Sequence, residues 1–173
     1  MATKICIAIN IIVFLLINSN KVRIDSLWTS YRSTIMDKQF YRLITSAFTQ
    51  KEILHLVINC FSLYNLGSLI ENIHGPIFFA IVYFIIIFIG GILSLIIHNK
   101  KGDRATPSIG ASGAICGLFG LYIIISIKFS GFEAILSCIP SLLLLVLMTV
   151  DKRIDSISHF TGLLTGIILG LFI

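Results

Sequence analysis

Six apolar runs separated by polar stretches make up most of the chain. An α-helix needs roughly 20 apolar residues to cross a bilayer core about 30 Å thick, and fewer when its polar ends reach the interface. The runs approach that length, so the pattern predicts an all-α membrane protein with six transmembrane helices. The predicted spans are residues 4–17, 53–73, 77–97, 112–127, 132–150 and 157–173.

The longest polar connection is residues 18–52, between the first two runs. Trp28, Tyr31, Phe40 and Tyr41 are mixed with charged residues here. Aromatic side chains beside charges are typical of the membrane–water interface. We therefore expect a long interfacial first loop rather than a free tail.

The first run has a second interpretation. A lysine followed by about a dozen apolar residues also fits a secretory signal peptide. No small-x-small cleavage site follows the run, and the polar sequence Asn18-Ser19-Asn20-Lys21 favours a retained helix. The second, fourth and sixth runs share one direction in either case.

Composition supports the membrane interpretation and limits the partners. With 57% hydrophobic residues, 12% charged residues and a mean hydropathy of +1.01, the chain is expected to form one domain, residues 1–173, in a lipid bilayer. The net charge of +5 is spread over loops, so nucleic acid is not an expected partner. Four cysteines lie in different runs without metal-ligand spacing, so neither a disulfide framework nor a metal site is expected.

Charge gives one indication of orientation. All Lys and Arg residues except Lys4 and Lys128 fall on the side that carries the first, third and fifth loops. The positive-inside rule would make this side cytoplasmic. Many of these charges lie in the long first loop, however, and a structured loop weakens the rule.

Three polar clusters stand near the starts of the second, fourth and sixth runs. They are His55 with Asn59, Ser112 within Gly110-Ala111-Ser112-Gly113-Ala114, and His159. Successive spans alternate in direction, so these three helices begin at the same membrane face. Polar side chains in lipid are costly without partners. We therefore expect the clusters to meet in one hydrolytic site.

Ser112 and His159 are the predicted reacting pair. A serine hydroxyl becomes an effective nucleophile when a neighbouring imidazole accepts its proton. We expect a dyad, because the acidic candidates for a third member lie at helix ends or in loops. These are Glu71, Glu133, Asp151 and Asp155. Taken alone, Ser112 also fits helix packing among small residues. His74 and His98 are weaker candidates, because they border loops where an imidazole is easily solvated.

His55 and Asn59 are the predicted stabilisers of an oxyanion. They lie four residues apart, on one face of a helix, and both can donate hydrogen bonds. Gly110 and Gly113 leave room for a substrate carbonyl and expose backbone N–H groups at a helix start. The alternative is that His55 and Asn59 form an interhelical hydrogen bond that stabilises the bundle.

Glycine spacing predicts which helices touch. Small residues at every fourth position let helix backbones approach closely in lipid. Such faces occur on the fourth and sixth runs, which we therefore expect to be neighbours. The glycines are Gly113, Gly117 and Gly120 on the fourth run and Gly162, Gly166 and Gly170 on the sixth.

In order and position, the clusters resemble the motifs of the rhomboid intramembrane serine proteases. The sequence from His55 to Asn59 is similar to the His-x-x-x-Asn of that family's second helix. Gly110-Ala111-Ser112-Gly113 resembles the nucleophile motif of the fourth helix, and His159-x-x-Gly162-x-x-x-Gly166 the base motif of the sixth. The resemblance covers most of the chain and implies a six-helix rhomboid-like bundle.

The resemblance implies a role for each residue of the site. Ser112 would be the nucleophile and His159 the general base. His55, Asn59 and the backbone N–H of Ser112 would donate to the oxyanion. No metal or organic cofactor would be required.

The resemblance also extends to supporting residues, with departures. Arg42 is placed like the arginine that structures the family's first loop, and Glu71 like a helix-end glutamate tied to it. Tyr41 stands where the family often has tryptophan, Cys116 where many members have tyrosine, and Gln50 where a second histidine is common. These departures leave the predicted dyad intact but alter its surroundings.

The implied substrates are membrane proteins with a single transmembrane segment, which would enter laterally past the fifth helix. Family topology places both termini in the cytoplasm and opens the site to the extracytoplasmic side. We follow it over the charge count, because three motifs outweigh a bias that one loop dominates. The compact size of the chain favours a bacterial cell membrane.

Two other functions remain open. A non-proteolytic rhomboid-like protein would bind membrane helices without cutting them, although such proteins typically lack the serine and histidine present here. A small transporter is less favoured, because we expect polar residues near the midplane or paired broken helices in a transporter. Neither feature is evident in the sequence.

Overall fold

The computed structural model describes residues 1–131 and 155–173 and, between them, only residues 133, 136, 139 and 143. This part of the chain is helical, with one isolated β-bridge between Thr29 and Ser108. Its α-helices are Ala2–Asn18 (α1), Arg42–Ala47 (α2), Ile53–His74 (α3), Pro76–Lys100 (α4), Ser112–Ser130 (α5) and Ser156–Phe172 (α6). Apart from these four residues, the predicted fifth span, residues 132–150, lies outside the described residues.

Helices α3, α4 and α5 are long and apolar enough to cross a membrane. Two shorter apolar helices, α1 and α6, have 17 residues each and are about 26 Å long at 1.5 Å per residue. The outer faces of the five apolar helices carry exposed apolar side chains. Examples on α4 are Ile77, Phe84 and Phe88. An apolar outer surface of this extent fits an integral membrane protein. The number of transmembrane helices, six, stays a prediction.

Local sequence explains where the helices begin. Gly75 adopts a φ of +88°, which glycine tolerates readily, and Pro76 follows as the first residue of α4. The chain therefore turns sharply between α3 and α4. At α6, the Asp155 side chain accepts hydrogen bonds from the backbone N–H groups of Ile157 and Ser158 at 3.0 and 3.3 Å. This N-cap fixes the start of the helix that carries His159.

Helix α5 is central, since it packs against α3, α4 and α6, and 67% of its segment Ser112–Phe129 is buried. Its most extensive contact is with α6. A Cβ atom at Gly162 would overlap the carbonyl oxygen of Gly113, and one at Gly166 would overlap that of Gly117. Backbones this close leave room only for glycine. The predicted contact between the two glycine-faced helices is confirmed.

The segment between α1 and α3 is folded onto the end of the bundle. Besides α2 it contains a 3₁₀ turn, Ile24–Ser26, and a π-helical turn, Arg32–Met36. Thr29 and Ser108 exchange two backbone hydrogen bonds of 3.1 and 2.8 Å. The segment therefore lies against the loop that leads into α5. Its location at a membrane interface stays a prediction.

Arg42 holds this segment together. The guanidinium donates to the backbone carbonyls of Asp25 and Trp28 at 2.7 and 2.9 Å, and to the side chain of Gln39 at 2.5 Å. Only 8% of Arg42 is exposed, so these hydrogen bonds replace those that water would make. The arginine joins distant points of the loop, in keeping with the role that the resemblance implied.

Glu71 has different partners from those expected. Its carboxylate accepts the backbone N–H groups of Ala2 and Thr3 at 3.0 and 2.8 Å. The first N–H groups of a helix have no partner within it, and a carboxylate there stabilises the helix start. The expected tie from Glu71 to the first loop was wrong, because Glu71 stands at the end of α3 and the loop packs near its beginning.

Candidate active site

Ser112 and His159 meet where α5 and α6 begin. Ser112 is the first residue of α5, and His159 lies in the first turn of α6. The distance from Ser112 Oγ to His159 Nε2 is 2.6 Å. Only 2% of the serine and 5% of the histidine is exposed. The geometry suits transfer of a proton from the hydroxyl to the imidazole.

The other ring nitrogen of His159 has a different environment. Nδ1 is buried and has no hydrogen-bond partner among the described residues. Asp155, the nearest acidic residue along α6, turns its carboxylate to the helix N-terminus and to His98 instead. Asp151 lies outside the described residues. Among the described residues, no carboxylate is bonded to the His159 ring.

The His55 ring lies beside Gly110, two residues before Ser112 in the chain. Gly110 has a φ of +114°, and a Cβ atom there would stand 2.9 Å from His55 Cε1. A larger residue would strain the backbone and push the imidazole away. The Gly110 N–H donates to the Ser46 carbonyl at 2.9 Å, which ties this loop to α2. The starts of α3, α5 and α6 therefore share one end of the bundle, as predicted.

Asn59 belongs to a buried network that the sequence analysis missed. Its side-chain nitrogen donates to Gln50 Oε1 at 2.9 Å, and Gln50 Nε2 donates to Asn10 Oδ1 at 3.1 Å. Asn10 stands in the middle of α1, although the sequence showed no evident polar residue near the midplane of a span. An isolated carboxamide within an apolar run was the available signal, since such a group needs a partner.

His98 is buried, contrary to expectation. Helix α4 continues to Lys100, so the ring lies in its last turn, where Nε2 is 3.1 Å from Asp155 Oδ1. His98 Nδ1 is 3.4 Å from Asp103 Oδ2 in the following loop. The hydroxyl of Thr106 and, less strongly, nearby His98 lower the pKa of Asp103 below its usual value. The ring thus links the end of α4 to the start of α6.

A cavity of about 50 Å³ is lined by Gly113 and Ser158, the chain neighbours of Ser112 and His159. A buried water needs roughly 10–15 Å³ in this measure, so the cavity has room for a few waters. Its lining consists mainly of small residues, including Gly90, Gly110 and Gly113, and carries hydroxyl groups from Ser46, Ser94 and Ser158. In the described part of the chain, no three His, Cys, Asp or Glu side chains are grouped to hold a metal ion.

Comparison with known proteins gives the family. Residues 37–173 match the model of the Rhomboid domain. The chain is 29% identical over 83% of its length to RHOMBOID-like protein 6, mitochondrial, of Arabidopsis thaliana. It is 25% identical over 95% of its length to rhomboid protease GluP of Bacillus subtilis, and 25% identical over 83% to Rhomboid-like protease 3 of Toxoplasma gondii.

These matches span 47%, 33% and 55% of the relatives' own lengths, respectively. The chain therefore spans between about a third and a little over half of the length of these relatives. The Rhomboid match itself covers well over half of this chain. The chain belongs to the rhomboid family.

Proposed function

We propose that this protein is an intramembrane serine endopeptidase with Ser112 as nucleophile and His159 as general base. The observation that carries the proposal is the 2.6 Å contact between Ser112 Oγ and His159 Nε2 in a buried site. That distance is within the reach required for general-base activation of a serine. The Rhomboid match and the similarity to a protein named as a rhomboid protease support the same reaction.

The reaction proceeds through an acyl-enzyme. His159 Nε2 accepts the hydroxyl proton while Ser112 Oγ attacks the carbonyl carbon of the scissile peptide. His159 then donates this proton to the leaving amine, which departs and leaves an ester on Ser112. Water attacks the ester while His159 takes its proton; His159 then returns this proton to the departing Ser112 Oγ, and the carboxylic acid product is released. A neutral His159 must carry its own proton on Nδ1 for the first step.

Three kinds of donor stabilise the negative oxygen of the tetrahedral intermediate. They are the backbone N–H of Ser112, the His55 ring and the Asn59 carboxamide. The Ser112 N–H lies at the start of α5, where backbone donors have no partner within the helix. One such donor contributes about 3 kcal/mol to the transition state in a serine protease.

Water for the second half of the reaction comes from the cavity of about 50 Å³ beside Gly113, where hydroxyl groups such as that of Ser158 can hold it. The buried site favours substrates already in the bilayer, so we assign it transmembrane segments of other membrane proteins. Substrate entry past the fifth span involves residues 132–150, most of which are outside the described residues. We further propose a six-span topology with the site opening to the extracytoplasmic side.

The decisive experiment compares wild-type protein with Ser112→Ala and measures both substrate cleavage and substrate binding for each. Proteoliposomes would carry the protein together with a panel of fluorescently tagged single-span proteins. We expect wild type to release fragments cut in or beside the transmembrane segment, identified by mass spectrometry. Ser112→Ala should bind the same substrate, measured by crosslinking, without cutting it.

Ser126→Ala is the matched control, because Ser126 is also buried on α5 but lies away from its start. This variant should cleave like wild type. Binding without cleavage by wild type across the panel would favour the non-proteolytic alternative. Solute flux through the vesicles that persists in Ser112→Ala would favour a transporter.

A further inference from the structure

Three carboxamides form a continuous buried chain from α1 to the proposed oxyanion site. Asn10 is 1% exposed, Gln50 0% and Asn59 2%. Asn59 donates to Gln50 at 2.9 Å, Gln50 donates to Asn10 at 3.1 Å, and Asn10 donates to the backbone carbonyl of Cys6 at 2.8 Å. Every link therefore runs in the same direction, from α3 towards α1.

The carbonyl at the end of this chain determines the direction. A backbone carbonyl only accepts, so Asn10 must present its nitrogen to Cys6 and its oxygen to Gln50. Gln50 must then present nitrogen to Asn10 and oxygen to Asn59. Asn59 must therefore present its nitrogen to Gln50. Reversing any one amide would place two acceptors or two donors together in a buried site, which is costly.

The direction has a consequence for the site. A carboxamide has one edge that donates and one that accepts, and only the donating edge stabilises an oxyanion. Gln50 Oε1 is 3.5 Å from the point where a Cβ atom on Gly110 would stand. The Asn59 nitrogen, which donates to this same Gln50 oxygen, therefore lies on the side of Gly110, in the loop that leads to Ser112. One of its N–H groups is used by Gln50, and the second is left for a ligand.

We propose that Asn10 and Gln50 are positioning residues, which hold Asn59 with its donating edge towards the reacting carbonyl. This inference rests on the proposed function, in which Asn59 is an oxyanion donor. It assigns a role in catalysis to α1. It also explains why a carboxamide stands in the middle of an apolar helix.

A double-mutant cycle distinguishes positioning from general support of the fold. Asn10→Leu and Gln50→Leu would be made in the wild-type protein and in Asn59→Ala, and kcat and KM measured on one cleaved substrate in proteoliposomes. Loss of an oxyanion donor lowers kcat by about 100-fold or more. We expect that loss in Asn59→Ala and Gln50→Leu, and about a tenfold loss in Asn10→Leu, with KM changing less than twofold.

In the Asn59→Ala background, neither leucine substitution should lower kcat further, because both act through Asn59. Gln50→His should retain most of the activity, since a neutral imidazole can accept from Asn59 and donate to Asn10. Asn18→Leu is the matched control. Asn18 is exposed on the same helix and also donates to a carbonyl four residues earlier, at 2.9 Å, so its loss should leave kcat unchanged.

The outcomes separate this inference from the function on which it rests. Equal losses of kcat in both backgrounds, or undiminished kcat in Asn10→Leu and Gln50→Leu, would overturn the positioning role while leaving the protease assignment in place. Absence of turnover by the wild-type protein would overturn both. Non-additive losses with unchanged KM and activity in Gln50→His would support the proposal.

Discussion

Ser112→Ala and His159→Ala should each lower kcat/KM for peptide-bond cleavage at least about a thousandfold, and the double variant should be no worse than either single one. The reason is that the two groups act as a unit. Without the imidazole, the hydroxyl keeps its proton; without the hydroxyl, the imidazole has nothing to activate. Initial rates on a purified substrate in proteoliposomes would measure all three variants.

Controls must separate lost chemistry from lost structure. His74→Ala removes a half-buried imidazole at the far end of α3, where its ring contacts Phe78 with centroids 4.6 Å apart. This variant should keep kcat/KM within about twofold of wild type, as is usual for changes away from the reacting groups. Independent, multiplying losses in Ser112→Ala and His159→Ala would contradict the dyad.

Gly166→Ala should cause the largest loss of stability, even though it adds a single methyl group. Its Cβ atom would overlap the carbonyl oxygen of Gly117 and stand 2.6 Å from the carbonyl carbon. Neither backbone can move without separating α5 from α6. Overpacking of this kind typically costs about 1–3 kcal/mol in the free energy of unfolding. Thermal unfolding in detergent would report it as a lower Tm.

The same substitution should lower kcat, because widening the α5–α6 contact lengthens the distance from Ser112 to His159. Gly91→Ala is the matched control on α4, where a new Cβ atom would meet only a side-chain carbon of Leu43 at 3.1 Å. A flexible side chain can give way, and alanine favours the helix over glycine. Equal Tm values for Gly166→Ala and Gly91→Ala would show that the α5–α6 contact does not limit stability.

Much of the site could be predicted from sequence because the membrane restricts the ways in which helices can be arranged. Alternating spans placed the starts of α3, α5 and α6 at one end, and spacing of Gly113, Gly117, Gly162 and Gly166 identified the contact between α5 and α6. The contact in turn brought Ser112 to His159. These inferences needed only helix direction and periodicity.

Partners of the polar groups could not be predicted in the same way. Gln50 reaches Asn10 because the segment before α3 enters the bundle, a path that periodicity does not contain. His98 meets Asp155 because α4 runs three residues beyond the apolar run that predicted its end. A carboxamide within an apolar run, or an imidazole at the end of one, signals that a partner exists. Its identity depends on loop conformation.

The central claim is that His159 activates Ser112, and covalent labelling with a fluorophosphonate tests it most directly. The reagent bonds to an activated serine oxygen and releases fluoride, so labelling needs no knowledge of the substrate. Folded wild-type protein should carry one adduct on Ser112, located by mass spectrometry, and His159→Ala should carry none. An unlabelled Ser112 in folded wild-type protein, or undiminished labelling in His159→Ala, would contradict the account.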